Sequence, residues 1–175
     1  DDIIEIAAIR IKDGEVIGEP LDLYIETDKP ISPMLGDKEN PMYAIYHEKM
    51  STGELLSPSD ALRRFLAYVG TSPILGHNAN YDYNILDNNL QRYCNDTMQA
   101  HDIRCFDSLK LIRLLAPSLH SYKLESLLET FHLTGVNSHQ AIDDVRATVS
   151  LVRLCAEKAR EKQASQEAFI HHPKV

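Results

Sequence analysis

The sequence lacks any long apolar run, so we expect no membrane-spanning helix and no membrane partner. It also lacks the spacing of a cysteine-rich zinc site. Its three cysteines, Cys94, Cys105 and Cys155, are far apart and odd in number, which favours reduced thiols in a cytoplasmic protein. Lysine and arginine total 18 against 26 acidic residues, and the net charge is −8. This balance does not suit a protein that coats duplex nucleic acid, but it is compatible with acids gathered around divalent cations.

What the sequence does contain indicates one α/β domain. A chain of 175 residues can bury a sizeable core, and 43% hydrophobic with 25% charged residues is typical of a globular protein. Predicted strands alternate with predicted helices after an initial antiparallel hairpin. We therefore predict a domain over residues 1–156, followed by a charged helical tail or linker over residues 157–175.

The start of the chain predicts the hairpin in some detail. Residues 3–11 are almost wholly apolar, as expected for a strand covered on both faces. Residues 12–15 contain an Asp-Gly pair that predicts a tight turn. The second strand is predicted over residues 16–26, with a break at Pro20. Further along, a helix is predicted to start at Ser59 and Asp60.

Residues 74–86 are the first stretch with a chemical signature. A short apolar run ends at Gly76, and an apolar pattern of helical period follows a polar patch, which predicts strand, turn and helix. Sites in open α/β sheets lie beyond the carboxyl ends of strands, where this turn falls. Asp82 would point its carboxylate toward that edge from the first turns of the helix. The alternative is a capped helix with an acid that only favours its positive end.

A second signature lies at the predicted start of the last helix. His139 and Asp144 are five positions apart, so they converge only over the helix N-terminus. Carboxylates from separate elements are suited to Mg²⁺ or Mn²⁺, which stabilise the attacking and leaving oxygens of a phosphodiester. A histidine with a near-neutral pKa would take the proton from the attacking water. The alternative is an exposed capping histidine followed by two acids, Asp143 and Asp144, that favour the helix dipole.

Together these motifs resemble those of the DEDDh family, the ribonuclease T-like (DnaQ-like) 3′–5′ exonucleases of the ribonuclease H-like fold. The family motif H-N-x-x-[FY]-D corresponds to His77, Asn78, Ala79, Asn80, Tyr81 and Asp82. The motif H-x-A-x-x-D corresponds to His139, Gln140, Ala141, Ile142, Asp143 and Asp144. Three further segments match the family more weakly, namely residues 3–8, 107–109 and 122–124. The resemblance therefore covers the chain from Ile3 to about Leu154.

The resemblance implies a mixed five-stranded sheet flanked by helices and a metal-dependent 3′–5′ exonuclease that releases 5′-mononucleotides. The substrate would be single-stranded DNA or RNA with a 3′ end. Asp144 and Asp82 would be catalytic metal ligands for Mg²⁺ or Mn²⁺, and His139 would be the general base. His77 and Asn78 would contact the substrate. Glu5 is expected near the site but not on the metal. The resemblance is compatible with a homodimer and with further domains in the same polypeptide.

The family's first motif, D-x-E-T, has no counterpart in the sequence. It would lie on a central strand before Ile3 and would supply most of the direct metal contacts, which Asp1 and Asp2 cannot replace. Because the first residue is not methionine, we expect the gene product to begin upstream and to include this strand. The alternative is a catalytically silent module that binds nucleic-acid ends or a partner protein, or a structural domain of a larger enzyme.

Overall fold

The computed structural model describes residues 2–29, 41–135 and 140–171. Strands and helices alternate along most of the chain, so the predicted α/β class is confirmed. The strands are β1 (Glu5–Lys12), β2 (Glu15–Tyr24), β3 (Ile74–Gly76) and β4 (Cys105–Asp107). The helices are α1 (Pro41–Thr52), α2 (Pro58–Val69), α3 (Ala79–Cys94), α4 (Ser108–Leu115), α5 (Leu124–Thr130) and α6 (Ala141–His171).

The first two strands form the predicted antiparallel hairpin. Asp13 and Gly14 at its tip have φ values of 54° and 84°, and two consecutive positive φ values match the right-handed twist of the flanking strands. Aspartate and glycine tolerate this conformation, which explains why the Asp-Gly pair marks the turn. The predicted turn is confirmed.

The predicted break at Pro20 is wrong, because β2 runs through this residue without interruption. Instead of a break, the pairing of β1 with β2 shifts its register between Ala8 and Arg10. Proline is tolerated there because a bulge leaves a residue out of the hydrogen-bonded ladder. The shift moves the pairing by two residues, and it places Glu5 opposite Tyr24.

The other two strands are short and parallel, with Gly76 beside Asp107 at the end of the pair. Parallel strands bring their carboxyl ends to the same edge, so the turns that follow β3 and β4 are neighbours. In the described ranges the four strands form two separate two-stranded sheets, one antiparallel and one parallel. The fifth strand, which the resemblance places before Ile3, stays a prediction.

Two larger apolar clusters and a smaller one hold these elements together, and the smaller one joins β2 to α1 through Tyr24, Met42 and Tyr46. The largest joins the hairpin to α2 and α3 through buried residues that include Ile6, Leu23, Leu62, Phe65 and Leu90. The second joins α4, α5 and α6 through Ile112, Leu127, Leu151 and Cys155. Burying each such aliphatic side chain stabilises the fold by about 1.5–3 kcal/mol. Because α6 also packs directly against β1, it connects the two larger clusters.

The structure changes the predicted start of α2 and the predicted end of the last helix. Ser57 caps α2 by accepting a hydrogen bond from the Asp60 backbone, with Pro58 at the first helical position, so this helix starts before Ser59. The last helix continues past residue 156 as far as His171. What the predicted tail connects to stays a prediction. Within the described ranges, every helix is too short or too polar to cross a membrane.

Candidate active site

The turn between β3 and α3 is unusually close-packed. A Cβ atom on Gly76 would lie 3.2 Å from the Cβ of Ala79 and 3.8 Å from Oδ2 of Asp82. Asn78, just before α3, has a left-handed backbone with φ of 64°, which asparagine adopts more easily than most residues. This sharp turn folds the first turn of α3 back over the end of β3. The carboxylate of Asp82 therefore lies at the sheet edge, where the sequence predicted it.

Asp107 stabilises this turn from the neighbouring strand. Its Oδ1 accepts hydrogen bonds from the backbone N–H groups of Leu109, at 2.9 Å, and of Asn78, at 3.0 Å. One carboxylate thus caps α4 and holds the start of α3. Taken over the whole residue, Asp82 is exposed to solvent. Its carboxylate, however, lies close to Gly76, where β3 ends and the turn into α3 begins. This desolvation, followed by the negative charge of Asp107, raises the pKa of Asp82.

His77 is held by contacts within the protein on both sides of its ring. Nδ1 lies 2.9 Å from Oγ of Ser108, and Nε2 lies 2.8 Å from the backbone oxygen of Tyr122. A carbonyl oxygen only accepts, so Nε2 is the nitrogen that donates. The Ser108 hydroxyl has one proton, which it can donate either to Nδ1 or to the backbone oxygen of Gly76, 3.1 Å from Oγ. His77 therefore joins the end of β3 to the start of α4 and to the segment before α5.

These contacts bear on the two predicted substrate-binding residues. Both ring nitrogens of His77 already have partners in the protein, so the geometry gives this side chain a positioning role. Asn78 is exposed four positions before Asp82, and its side chain does not cap α3. Substrate contact by either residue stays a prediction.

A second group of acids lies where α6 starts against the hairpin. Oε1 of Glu5 accepts a hydrogen bond from the backbone N–H of Ala141 at 3.0 Å. Burial raises the pKa of Glu5 to about 7, and the negative charges of Asp22 and Asp144 add to this effect. The Ala141 N–H and the Tyr24 hydroxyl oppose it by hydrogen bonding. Negative charge is therefore crowded at this point of the fold.

Tyr24 and Asp22 were missed by the sequence reasoning as members of this group. Both lie on β2, and the pairing of β1 with β2 places Tyr24 directly opposite Glu5. Burial is the largest cause that raises the pKa of Tyr24, and the charge of Glu5 follows. If the pairing next to the Asp-Gly turn continued along the hairpin without a shift, Glu5 would lie opposite Asp22. The register shift places Tyr24 opposite Glu5 instead.

Asp143 and Asp144 lie in the first turn of α6 and differ in their surroundings. Oδ1 of Asp143 forms an ion pair at 3.2 Å with the exposed guanidinium of Arg146. Oδ1 of Asp144 is buried, with less than 1 Å² of accessible area. The sequence reasoning chose Asp144 over Asp143 as the metal ligand, and the inward position of Asp144 is compatible with that choice. Metal binding by Asp144 stays a prediction.

The described residues thus contain two acidic groups, Asp82 with Asp107 and Asp144 with Glu5. Among these residues, no set of three or more histidine, cysteine, aspartate or glutamate side chains converges closely enough to hold a metal ion. His139, the predicted general base, lies outside the described residues. The predicted combination of Asp82, His139 and Asp144 therefore stays a prediction.

The chemistry of the second group nevertheless fits a divalent cation. Its donors are carboxylate oxygens, which Mg²⁺ and Mn²⁺ prefer. The buried oxygen of Asp144 and the raised pKa of Glu5 indicate charge that a cation would neutralise. Asp144 is the member that would hold the ion, because Glu5 is already bonded to Ala141.

Comparison with known proteins decides the family. A family model described as Exonuclease, of the RNase_T type, matches residues 1–152. The chain belongs to this exonuclease family. The predicted recognition is thereby confirmed, and the α/β architecture of the exonuclease domain agrees with the predicted ribonuclease H-like fold.

The exonuclease domain is also similar to proteins described as DNA polymerase III PolC-type. The relative from Clostridium perfringens is 27% identical over 166 residues, which cover 93% of this chain and 10% of that protein. The relative from Latilactobacillus sakei is 28% identical over 161 residues, covering 92% and 10%. The relative from Thermotoga maritima is 31% identical over 151 residues, covering 86% and 10%. The chain therefore spans about a tenth of the length of these relatives.

Proposed function

We propose that this domain is a metal-dependent 3′–5′ exonuclease that acts as part of a larger cytoplasmic polypeptide. It would remove nucleotides from the 3′ end of a single strand and release 5′-mononucleotides. The observation that carries the proposal is the placement of Asp82 and Asp144, in a member of an exonuclease family, at the close turn after β3 and in the first turn of α6. Similarity to PolC-type DNA polymerases favours DNA over RNA as the substrate.

In this mechanism Asp144 and Asp82 would hold Mg²⁺ or Mn²⁺. When bound, the ions would neutralise the phosphate charge and stabilise the attacking and leaving oxygens. His139 takes a proton from the attacking water as the new bond between its oxygen and phosphorus forms. The bond from phosphorus to the 3′ oxygen then breaks, and the 5′-mononucleotide is released. The 3′ oxygen takes a proton from water, so the shortened strand ends in a 3′ hydroxyl.

The remaining motif residues act around this reaction. Asn78 is exposed four positions before Asp82 and would contact the terminal nucleotide. His77 would act through its bonds to Ser108 and Tyr122, which hold the turn that carries both residues. Asp107 contributes by holding the Asn78 backbone.

The test is digestion of an oligonucleotide labelled at its 5′ end by the purified protein, with and without Mn²⁺. We expect a ladder that shortens from the 3′ end, and none after chelation of the metal. Asp144→Asn should reduce the rate by about 100-fold or more, because the loss of a ligand removes several kcal/mol of transition-state stabilisation. Asp143→Asn is the matched control, since its carboxylate pairs with the exposed Arg146.

Full activity in the Asp144→Asn protein would refute the proposal. Tight binding of 3′ ends without any cleavage by the wild-type protein would instead support the catalytically silent binding module. A ladder of RNA but not of DNA would refute the choice of DNA as substrate.

A further inference from the structure

Helix α6 is fixed to the hairpin at two points. At its start, the Ala141 N–H donates to Oε1 of Glu5 at 3.0 Å. Further along, Nε of Arg153 donates to the backbone oxygen of Gly14 at 2.9 Å, and its guanidinium pairs with Glu15 at 3.3 Å. The second contact is exposed at the tip of the hairpin. The first is partly buried, next to the proposed metal ligand.

We propose that Glu5 is a positioning residue that fixes the start of α6 and thereby directs the carboxylate of Asp144 toward the site. The inference rests on the proposed function, since it assigns the reaction a residue that acts through Asp144. Glu5 would not touch the substrate or the metal ion.

The first argument concerns the unpaired groups at a helix start. The first backbone N–H groups of a helix have no partner within the helix and need an acceptor. A neighbouring side chain in sequence usually supplies it. Ala141, the first residue of α6, receives this acceptor from Glu5, a residue 136 positions away on another element. A carboxylate on a strand fixes where the helix starts relative to the sheet, which a local cap cannot do.

The second argument is that Glu5 is itself held rigidly. It lies opposite Tyr24 in the hydrogen-bonded ladder of β1 and β2. Directly opposite residues project from the same face of the pair, so the buried side chain of Tyr24 lies beside that of Glu5. The acceptor for Ala141 is therefore constrained through both its backbone and its side chain.

The third argument is helical geometry. Asp144 follows Ala141 by three positions, so the two residues lie on the same face of α6, about one turn apart. A rotation of the helix start that breaks the bond from Ala141 to Glu5 would move Asp144 by a similar amount. A misplacement of about 1 Å can cost a catalytic group about 100-fold in rate.

The experiment compares Glu5→Ala, Glu5→Gln and Arg153→Ala with the wild-type protein. Glutamine keeps a carbonyl oxygen that can accept from Ala141, whereas alanine removes the acceptor. Arg153→Ala is the matched control, because it removes another polar contact between α6 and the hairpin. Circular dichroism at the assay temperature establishes that each variant is folded.

The first readout is hydrogen exchange of the peptide that begins α6, measured without substrate or metal. Glu5→Ala should speed exchange there by about tenfold or more, as expected when a hydrogen bond to a charged group is lost. Glu5→Gln should restore most of the protection. Unchanged exchange in the Glu5→Ala protein would overturn the inference.

The second readout is exonuclease kinetics. Glu5→Ala should lower kcat by about tenfold or more, with KM for the strand changed by less than about threefold, because positioning affects the reaction more than ground-state binding. Glu5→Gln should recover most of kcat, and Arg153→Ala should leave it unchanged. Faster exchange with an unaltered kcat would also overturn the inference. An inactive wild-type protein would refute the proposed function, whereas the exchange result would still decide whether Glu5 fixes α6.

Discussion

Ser108 is fully buried, and its hydroxyl lies between two groups on which the β3–α3 turn depends. Oγ is 2.9 Å from Nδ1 of His77 and 3.1 Å from the backbone oxygen of Gly76. The change Ser108→Ala removes this hydroxyl without adding bulk. Because the single hydroxyl proton serves one of these two acceptors at a time, the change removes one hydrogen bond in a place that water reaches poorly.

The expected magnitude follows from this geometry. A buried polar group left without its bond costs about 1–3 kcal/mol, so the change should cost about that much. A domain of this size is stable by about 5–15 kcal/mol, so the variant should fold but unfold at clearly lower denaturant. Exonuclease activity should also fall, because the same turn carries Asp82.

The assay is urea unfolding followed by circular dichroism, combined in a cycle with His77→Ala. Because the two side chains are in direct contact, we expect a coupling free energy of about 0.5–3 kcal/mol between them. Ser118→Ala, at an exposed position in the turn after α4, is the control and should change stability by less than about 0.5 kcal/mol. A loss below about 0.5 kcal/mol for Ser108→Ala, or strict additivity with His77→Ala, would refute the assigned contact.

Two further changes test other parts of the fold. Gly135→Ala should cost about 1–3 kcal/mol, because the new Cβ would lie 3.2 Å from the backbone and side chain of Ala147; an unaltered urea midpoint would contradict this close approach. Asp2→Asn should cost about 1 kcal/mol or less at neutral pH, because the partners of Asp2, Lys29 and Arg92, are exposed. The hydrogen bond from Lys29 is the largest cause that lowers the pKa of Asp2, so its contribution is complete above the ordinary value of 3.8 and is lost as the pH falls through the lowered value. Thermal melts between pH 7 and about pH 2 should show the two proteins converging in acid, and a constant difference would argue against the ion pairs.

Local sequence patterns predicted the elements that depend on neighbouring residues. The Asp-Gly pair fixed the hairpin turn because its residues tolerate positive φ. Asp107 caps α4 through a bond to a backbone group two residues away, which is the kind of contact that a linear pattern can record. The spacing of His77, Asn78 and Asp82 predicted a strand, a turn and a helix in the correct order.

Interactions between distant segments were beyond the sequence patterns. A proline within β2 predicted a break, whereas the hairpin absorbs it in a register shift that depends on both strands. The partners of His77 come from 31 and 45 positions away. A motif residue that the sequence suggests as a substrate contact can therefore form hydrogen bonds inside the protein instead.

The sequence by itself determined the exonuclease family, the α/β class and the two motifs that carry the proposed chemistry. These features follow from short-range spacing and backbone preference, which a linear pattern records. The tertiary structure alone decided that Glu5 meets Tyr24 and Ala141, that Ser108 supports His77, and that Asp144 rather than Asp143 points inward. These contacts depend on how strands and helices pack after the chain has folded, because packing brings together groups that are far apart in sequence, such as Glu5 and Ala141 at 136 positions.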